Sequence, residues 1–399
     1  MTTMDLLDEQ AIRDGRSTDA YFLRTEEALD AADRDPTVVA EVTADQFPTG
    51  AFEVLAGCSD AAALFEGLPV DVDALRTGQC FDGGPVLQIE GRYRAFARYE
   101  TALLGLLSQA SAFATRALTA TLAAPDSLVL SFGSRHLHPA IAPMLERAAL
   151  VGGLDGISNV AAGEMIGKEA GGTMPHALLL CFGEGNQANG WRAFDDGVGP
   201  DVPRVALVDT FYDETVEARE AAATLGDALD SVRIDTTGSR RGDFRHIVRE
   251  VRWELDAQGH EDVGIFVSGG IDREAILKLR DVVDGFGIGS YVTNADPTDF
   301  ALDIVEVDGE PISKRGKLPG RKRVYRTKDG GHHVALADGG RTDGGAGADE
   351  TIRSVPGNAE PLLEPLVRDG EVVREFDVDA AAERARTDAE LVGFGEERD

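Results

Sequence analysis

Several short segments carry groups able to grip an anion. Ser268-Gly269-Gly270 precedes a helix expected to start near Asp272, so unhindered backbone N–H groups would gather where a phosphate needs them. Gly287 and Gly289 with Ser290 offer a second cradle, and two such turns on successive strands can hold one phosphate between them. Each turn taken alone also reads as an ordinary tight connection. Arg135, within Gly133-Ser134-Arg135-His136-Leu137-His138, has the planar fork that makes two parallel hydrogen bonds to a carboxylate. His136 and His138 lack a companion Cys or a spaced His pair, so zinc is not expected there.

Asp209, Asp213 beyond it, and Asp235 stand at or just past the ends of apolar runs. Carboxylates so placed can orient hydroxyls or hold a divalent ion, and each also suits a helix cap. His176 closes Gly172-Thr173-Met174-Pro175-His176 and precedes Ala177-Leu178-Leu179-Leu180, expected to be a buried strand. An imidazole at such a junction serves as a phosphoryl acceptor or hydrogen-bond partner, a structural histidine being the plainer reading. The segment lacks the Gly-Lys-Ser/Thr ending of a nucleotide-binding P-loop.

The elements that would position these groups follow a βα rhythm. Apolar strands are expected at 127–132, 204–209, 231–235 and 263–268, alternating with helices near 140–150, 159–169, 213–229, 243–258 and 272–283. Strands buried on both faces read as unbroken apolar runs, so the pattern predicts a parallel sheet, as an α/β barrel or an open sheet. In either, the polar strand ends face the ligand crevice. Residues 86–90 read as a strand and 93–123 as one or two helices. The style changes after about 300, giving an expected division at 1–125, 126–300 and 301–399 with a flexible loop near 338–350.

The 399 residues carry 71 Asp plus Glu against 39 Lys plus Arg, a formal charge of -32 that disfavours nucleic acid as a partner. Such a surface repels itself unless salt screens it, which suggests adaptation to high intracellular salt. The start has no basic segment leading into an apolar run, and polar residues interrupt the most apolar stretch, so neither a signal peptide nor a membrane span is expected. Cys58, Cys80 and Cys181 lie far apart, which fits a reducing, cytoplasmic compartment.

In order along the chain, TDAYFLRT at 18–25, EGRYRAFARYETALLG, FGSRHLHP, GISNVAAG with GGTMPH, VDTFYDE, VRIDTTGSRRGDF, FVSGGID, GIGSYVTN and KLPGRKRVYR resemble the nicotinate phosphoribosyltransferase family, particularly its archaeal branch and a haloarchaeal member. The resemblance covers about residues 15–326. It implies an irregular α/β barrel joined to a smaller α+β domain built from N-terminal and C-terminal segments, in a homodimer whose active sites are completed across the interface. The implied reaction joins nicotinate to phosphoribosyl pyrophosphate, with Mg²⁺ as the pyrophosphate's counterion and ATP as co-substrate through a phosphohistidine at His176.

By the same resemblance Tyr21 is the aromatic that a neighbouring subunit stacks on nicotinate, and Arg135 is the carboxylate clamp. Asp209 and Asp235 surround ribose and Mg²⁺, Ser268, Gly269, Gly270, Gly289 and Ser290 form the 5'-phosphate cradle, and Thr173 shares the cavity. The segment RIDTTGSRRGD departs from the compact form of many relatives, which leaves the roles of Arg240, Arg241 and Asp243 open. Competing readings are a quinolinate enzyme, favoured by extra basic residues in the base pocket, a nicotinamide enzyme, and a catalytically silent nucleotide-binding scaffold.

Overall fold

A computed structural model describes residues 4–44, 47–48, 52–235, 242–327, 330–337 and 360–394. The chain forms two compact units. One comprises 1–115, 151–153 and 296–399, the other 116–150 and 154–295. Arg240, Arg241 and the loop expected at 338–350 lie outside the described residues.

The discontinuous unit is built on a seven-stranded antiparallel sheet. Its order runs Glu310–Pro311, Phe300–Val307, Thr37–Ala44, Pro85–Arg92, Val70–Ala74, Glu364–Arg368 and Glu371–Val372. The Thr37 strand is buried along most of its length. Consecutive buried residues mean that both faces of the sheet are covered. Leu103 and Leu107, one turn apart on the helix Glu100–Ala123 and 0% exposed, join the core beside Val42, Ile89 and Phe96. Each such Leu contributes roughly 1.5–3 kcal/mol by leaving water.

The second unit is an irregular α/β barrel of six parallel strands. Their order is Gly156–Ile157, Leu128–Ser131, Gly285–Ile288, Gly264–Ser268, Ser231–Ile234 and Val205–Leu207. The helices Ala142–Val151, Val160–Ile166, Glu214–Leu225, Phe244–Asp256 and Arg273–Leu279 alternate with them. Every connection therefore returns to the same end of the sheet, and the loops after the strands cluster there. This two-unit α/β architecture is the expected fold class.

Two local expectations are corrected. The run after Pro175 is a helix, His176–Phe182, with Leu179 its one buried residue. Its backbone bonds close within the turn, Gly183 N–H donating to Leu179 O, so the apolar run needs no sheet neighbour. The Gly285 strand was not among the four expected, because glycine is disfavoured in strand interiors. Here the glycines make room for rings: an ideal Cβ on Gly285 would fall 2.1 Å from Phe266 Cε2, and one on Gly287 2.3 Å from Phe132 Cε2.

Candidate functional site

The loops at the C-terminal ends of the parallel strands enclose a cavity of about 440 Å³. Arg135, Thr173, Asp235, Ser268, Gly269, Gly270, Gly289 and Ser290 all line it. Gly287, Ser134, His136, Ser158 and Arg233 do so as well. Tyr21 belongs to the other unit, on the helix Ala20–Ala31, with 55% of its surface exposed.

The turn expected to cradle a phosphate is shaped by close backbone approach. Gly269 has φ +84°, and an ideal Cβ there would sit 1.9 Å from the Asp235 carbonyl oxygen, so only glycine fits. The helix that follows is capped by its own Asp272, whose side chain accepts from Ala275 N–H. The turn at Gly269 and Gly270 therefore faces the cavity while the helix start is already capped, a narrower arrangement than the expected row of helix donors.

Arg135 lies in the one-turn 3-10 segment Ser134–His136, and no hydrogen bond or ion pair ties it to another described residue. Ser134 beside it donates to Glu146 Oε1 at 2.6 Å, and Glu146 is 0% exposed. Arg233 was not foreseen. It is 8% exposed, its Nη2 donates to Met174 O at 3.3 Å and lies 3.6 Å from Asp235 Oδ2, and its buried Nε has no partner. Burial pulls its pKa below the ordinary arginine value; Asp235 and Asp209 oppose that pull, and the charge of Arg135 adds to it. An arginine inside an otherwise apolar strand was the available signal.

Asp235 N–H donates to Asp209 Oδ2 at 2.7 Å, and Ser268 Oγ donates to Asp235 Oδ1 at 2.6 Å, which links three strand ends. His176 Nε2 lies 3.7 Å from Asp235 Oδ2 and 3.9 Å from Asp209 Oδ1, while its Nδ1 meets Thr210 Oγ1 at 3.1 Å. Neither His176 nor Asp209 reaches the cavity wall, and the Asp209 side chain is 2% exposed. Asp213 is the cap of the helix Glu214–Leu225, and Asp243 caps Phe244–Asp256 while pairing with Lys278 at 3.5 Å.

Mg²⁺ fits these side chains poorly as a protein-held ion. Asp209 is committed inward, one oxygen of Asp235 accepts from Ser268, and the other lies beside Arg233. Among the described residues no group of three metal-ligating side chains occurs.

Residues 19–111 match the family model described as quinolinate phosphoribosyl transferase, N-terminal domain, and residues 113–303 match that of the C-terminal domain. The chain belongs to the quinolinate phosphoribosyltransferase family. It is 48% identical to the solved nicotinate-nucleotide pyrophosphorylase from Pyrococcus furiosus, with TM-score 0.90 and coverage of 99% of this chain and 100% of that one. It is 31% identical to nicotinate phosphoribosyltransferase pncB1 of Mycobacterium tuberculosis, over 84% of this chain and 76% of that relative. The human nicotinic acid phosphoribosyltransferase structure, 22% identical with TM-score 0.72 and 94% of each chain covered, shares the fold.

Family membership corrects the assignment to a nicotinate phosphoribosyltransferase, since both matching domain models are of the quinolinate type. A haloarchaeal member is likewise not indicated, the 48% identical archaeal structure being from Pyrococcus. ATP as co-substrate and phosphohistidine chemistry at His176 fall with that assignment. A quinolinate-type transfer does not require ATP as a co-substrate.

Proposed function

We propose that this protein transfers the phosphoribosyl group of phosphoribosyl pyrophosphate to a pyridine carboxylate, with quinolinate, the acceptor named by the family models, as its substrate. The observation that carries the reading is a pair of guanidinium groups, Arg135 and Arg233, in one cavity wall. A pyridine with a single carboxylate calls for one such fork. Two adjacent carboxylates call for two cations, and a buried Arg233 with an unpartnered Nε offers the second.

In this reaction the pyridine nitrogen bonds to the sugar C1 as the bond from C1 to pyrophosphate breaks. The ring becomes a cation, the bond from C2 to its carboxylate breaks with release of CO₂, and the electron pair left on C2 takes a proton. The protein's contribution is to position the reactants and stabilise charge. Arg135 and Arg233 hold the acceptor, Ser268, Gly269, Gly270, Gly289 and Ser290 surround the sugar phosphate, Thr173 supplies a buried hydroxyl with no other partner, and Asp235 faces the sugar. Asp209 and His176 support Asp235 from behind.

Tyr21, exposed on its own unit, is the group we assign to a neighbouring copy's acceptor in a homodimer. A cytoplasmic location accompanies this reading, supported by the three free cysteines. Among the described residues no helix is long and apolar enough to cross a membrane.

The relatives' names differ on the acceptor, so the test offers quinolinate, nicotinate and nicotinamide separately with phosphoribosyl pyrophosphate, without ATP. The expected outcome is nicotinate mononucleotide with one CO₂ per pyrophosphate from quinolinate. Mononucleotide from nicotinate with no CO₂ from quinolinate overturns the acceptor, and no nucleotide from any of the three overturns the reaction.

A further inference from the structure

Glu217 sits on the helix Glu214–Leu225, is 0% exposed, and points back at the loop that follows the Val205 strand. Its Oε2 accepts from Thr210 N–H at 2.9 Å. Its Oε1 accepts from Phe211 N–H at 2.9 Å, Tyr212 N–H at 3.1 Å and Gln187 Nε2 at 3.2 Å. Three consecutive backbone donors on one buried carboxylate exceed what a helix cap needs, and Asp213 already performs that task. Charge-assisted bonds of this kind hold a loop in one geometry.

We infer that Glu217 is a positioning residue for the candidate active site: it fixes residues 210–212 so that the Thr210 hydroxyl orients His176, which in turn sets Asp235 at the cavity wall. The chain of contacts is short. Thr210 Oγ1 is 3.1 Å from His176 Nδ1, and His176 Nε2 is 3.7 Å from Asp235 Oδ2. Asp209, immediately before the clamped residues, accepts the Asp235 N–H at 2.7 Å, so both supports of Asp235 begin at this loop. The charged groups facing the imidazole are Asp209 and Asp235, with Arg233 on the far side of Asp235. In a ring flanked by carboxylates, the proton's place on Nδ1 or Nε2 follows from what the other nitrogen meets.

This inference rests on the proposed transfer reaction, and its test includes a readout that does not. Glu217→Gln keeps the shape but turns one acceptor into an NH₂ group facing a backbone N–H. In the variant, kcat for nucleotide formation is expected to fall about 10- to 100-fold while KM for both substrates stays within about twofold, the pattern of a misplaced rather than missing group. Nitrogen NMR of His176, assigned by comparison with His176→Gln, reports its tautomer in the unliganded protein. A changed tautomer balance in Glu217→Gln is expected. An unchanged His176 spectrum in the folded variant overturns the inference whether or not the wild type makes nucleotide, as does unchanged kcat in an active enzyme. If Glu217→Gln does not fold, Thr210→Val tests the same link, and an unchanged His176 spectrum there overturns it equally.

Discussion

In the discontinuous unit Glu41, on the Thr37 strand, and Lys322 close on each other at 2.8 Å within a hydrogen-bonded network. Lys322 Nζ also donates to Leu318 O at 2.7 Å and Gly320 O at 3.0 Å, while Gln88 Nε2 donates to Glu41 Oε1 at 2.9 Å. At the ends of the parallel strands the buried polar atoms are treated differently. Arg233 Nε and Thr173 Oγ1 are buried without partners, and Arg135 is free of ion pairs to described residues. A buried polar group without a partner costs about 1–3 kcal/mol, which a fold tolerates where a ligand supplies the missing bond. The first region is organised to be stable and the second to be completed.

Breaking the Glu41–Lys322 network should have the largest effect, and on stability alone. Burial raises the Glu41 pKa above its ordinary value, with Lys322 acting against that rise. Lys322→Ala would strand the carboxylate and is expected to cost about 3–5 kcal/mol in chemical denaturation, with acceptor selectivity of the folded fraction unchanged. Altered selectivity among pyridine acceptors in that variant would erase the contrast between the regions.

The converse experiment is Arg135→Ala. Losing the charged hydrogen-bond partner of the acceptor carboxylate should reduce kcat/KM for the pyridine carboxylate by about 1.5–3 kcal/mol, with thermal stability little changed. Equal kcat/KM in the two proteins would remove Arg135 from the acceptor pocket.

His332 sharpens the comparison because it is a buried titratable group in the same unit as the Glu41–Lys322 pair, with its Nδ1 3.6 Å from Asp82 Oδ1. Its side chain is 2% exposed, and burial, aided by Arg326, lowers its pKa from 6.5 to about 4. A depressed folded pKa means that the unfolded chain takes up the proton first. The stability associated with neutral His332 is thus fully present above pH 6.5 and is lost as pH falls toward 4. The loss should be on the order of 3 kcal/mol. Denaturation midpoints of the wild type and His332→Leu across that window should diverge in slope, and parallel curves would show that His332 is not the group responsible.

The βα rhythm was legible because strands such as Ile265-Phe266-Val267 are unbroken apolar runs, and their glycine and serine ends announce a ligand crevice. Eight of the eleven expected site residues line one cavity, Thr173 among them expected from the family resemblance rather than from a strand end. Arg233 was missed although it interrupts an apolar strand, because the interruption does not say what its side chain meets, and Glu217 because nothing in a helical Val-Glu-Ala segment announces a loop clamp. The apolar run after His176 was misread because a short stretch of leucines has the same composition as strand or helix, and the choice follows from what it packs against.

By itself the sequence determined the parallel-strand architecture, the acidic balance and the glycine- and serine-rich strand ends, since each depends on neighbouring residues or on composition. Only the tertiary structure decided which of these groups meet: that Asp235 is held by Asp209 and Ser268, that Arg233 joins Arg135 at one cavity, and that Glu217 holds the loop beside His176. Those pairings join residues on different strands and helices, and such distances are set by the packing of whole elements rather than by local sequence.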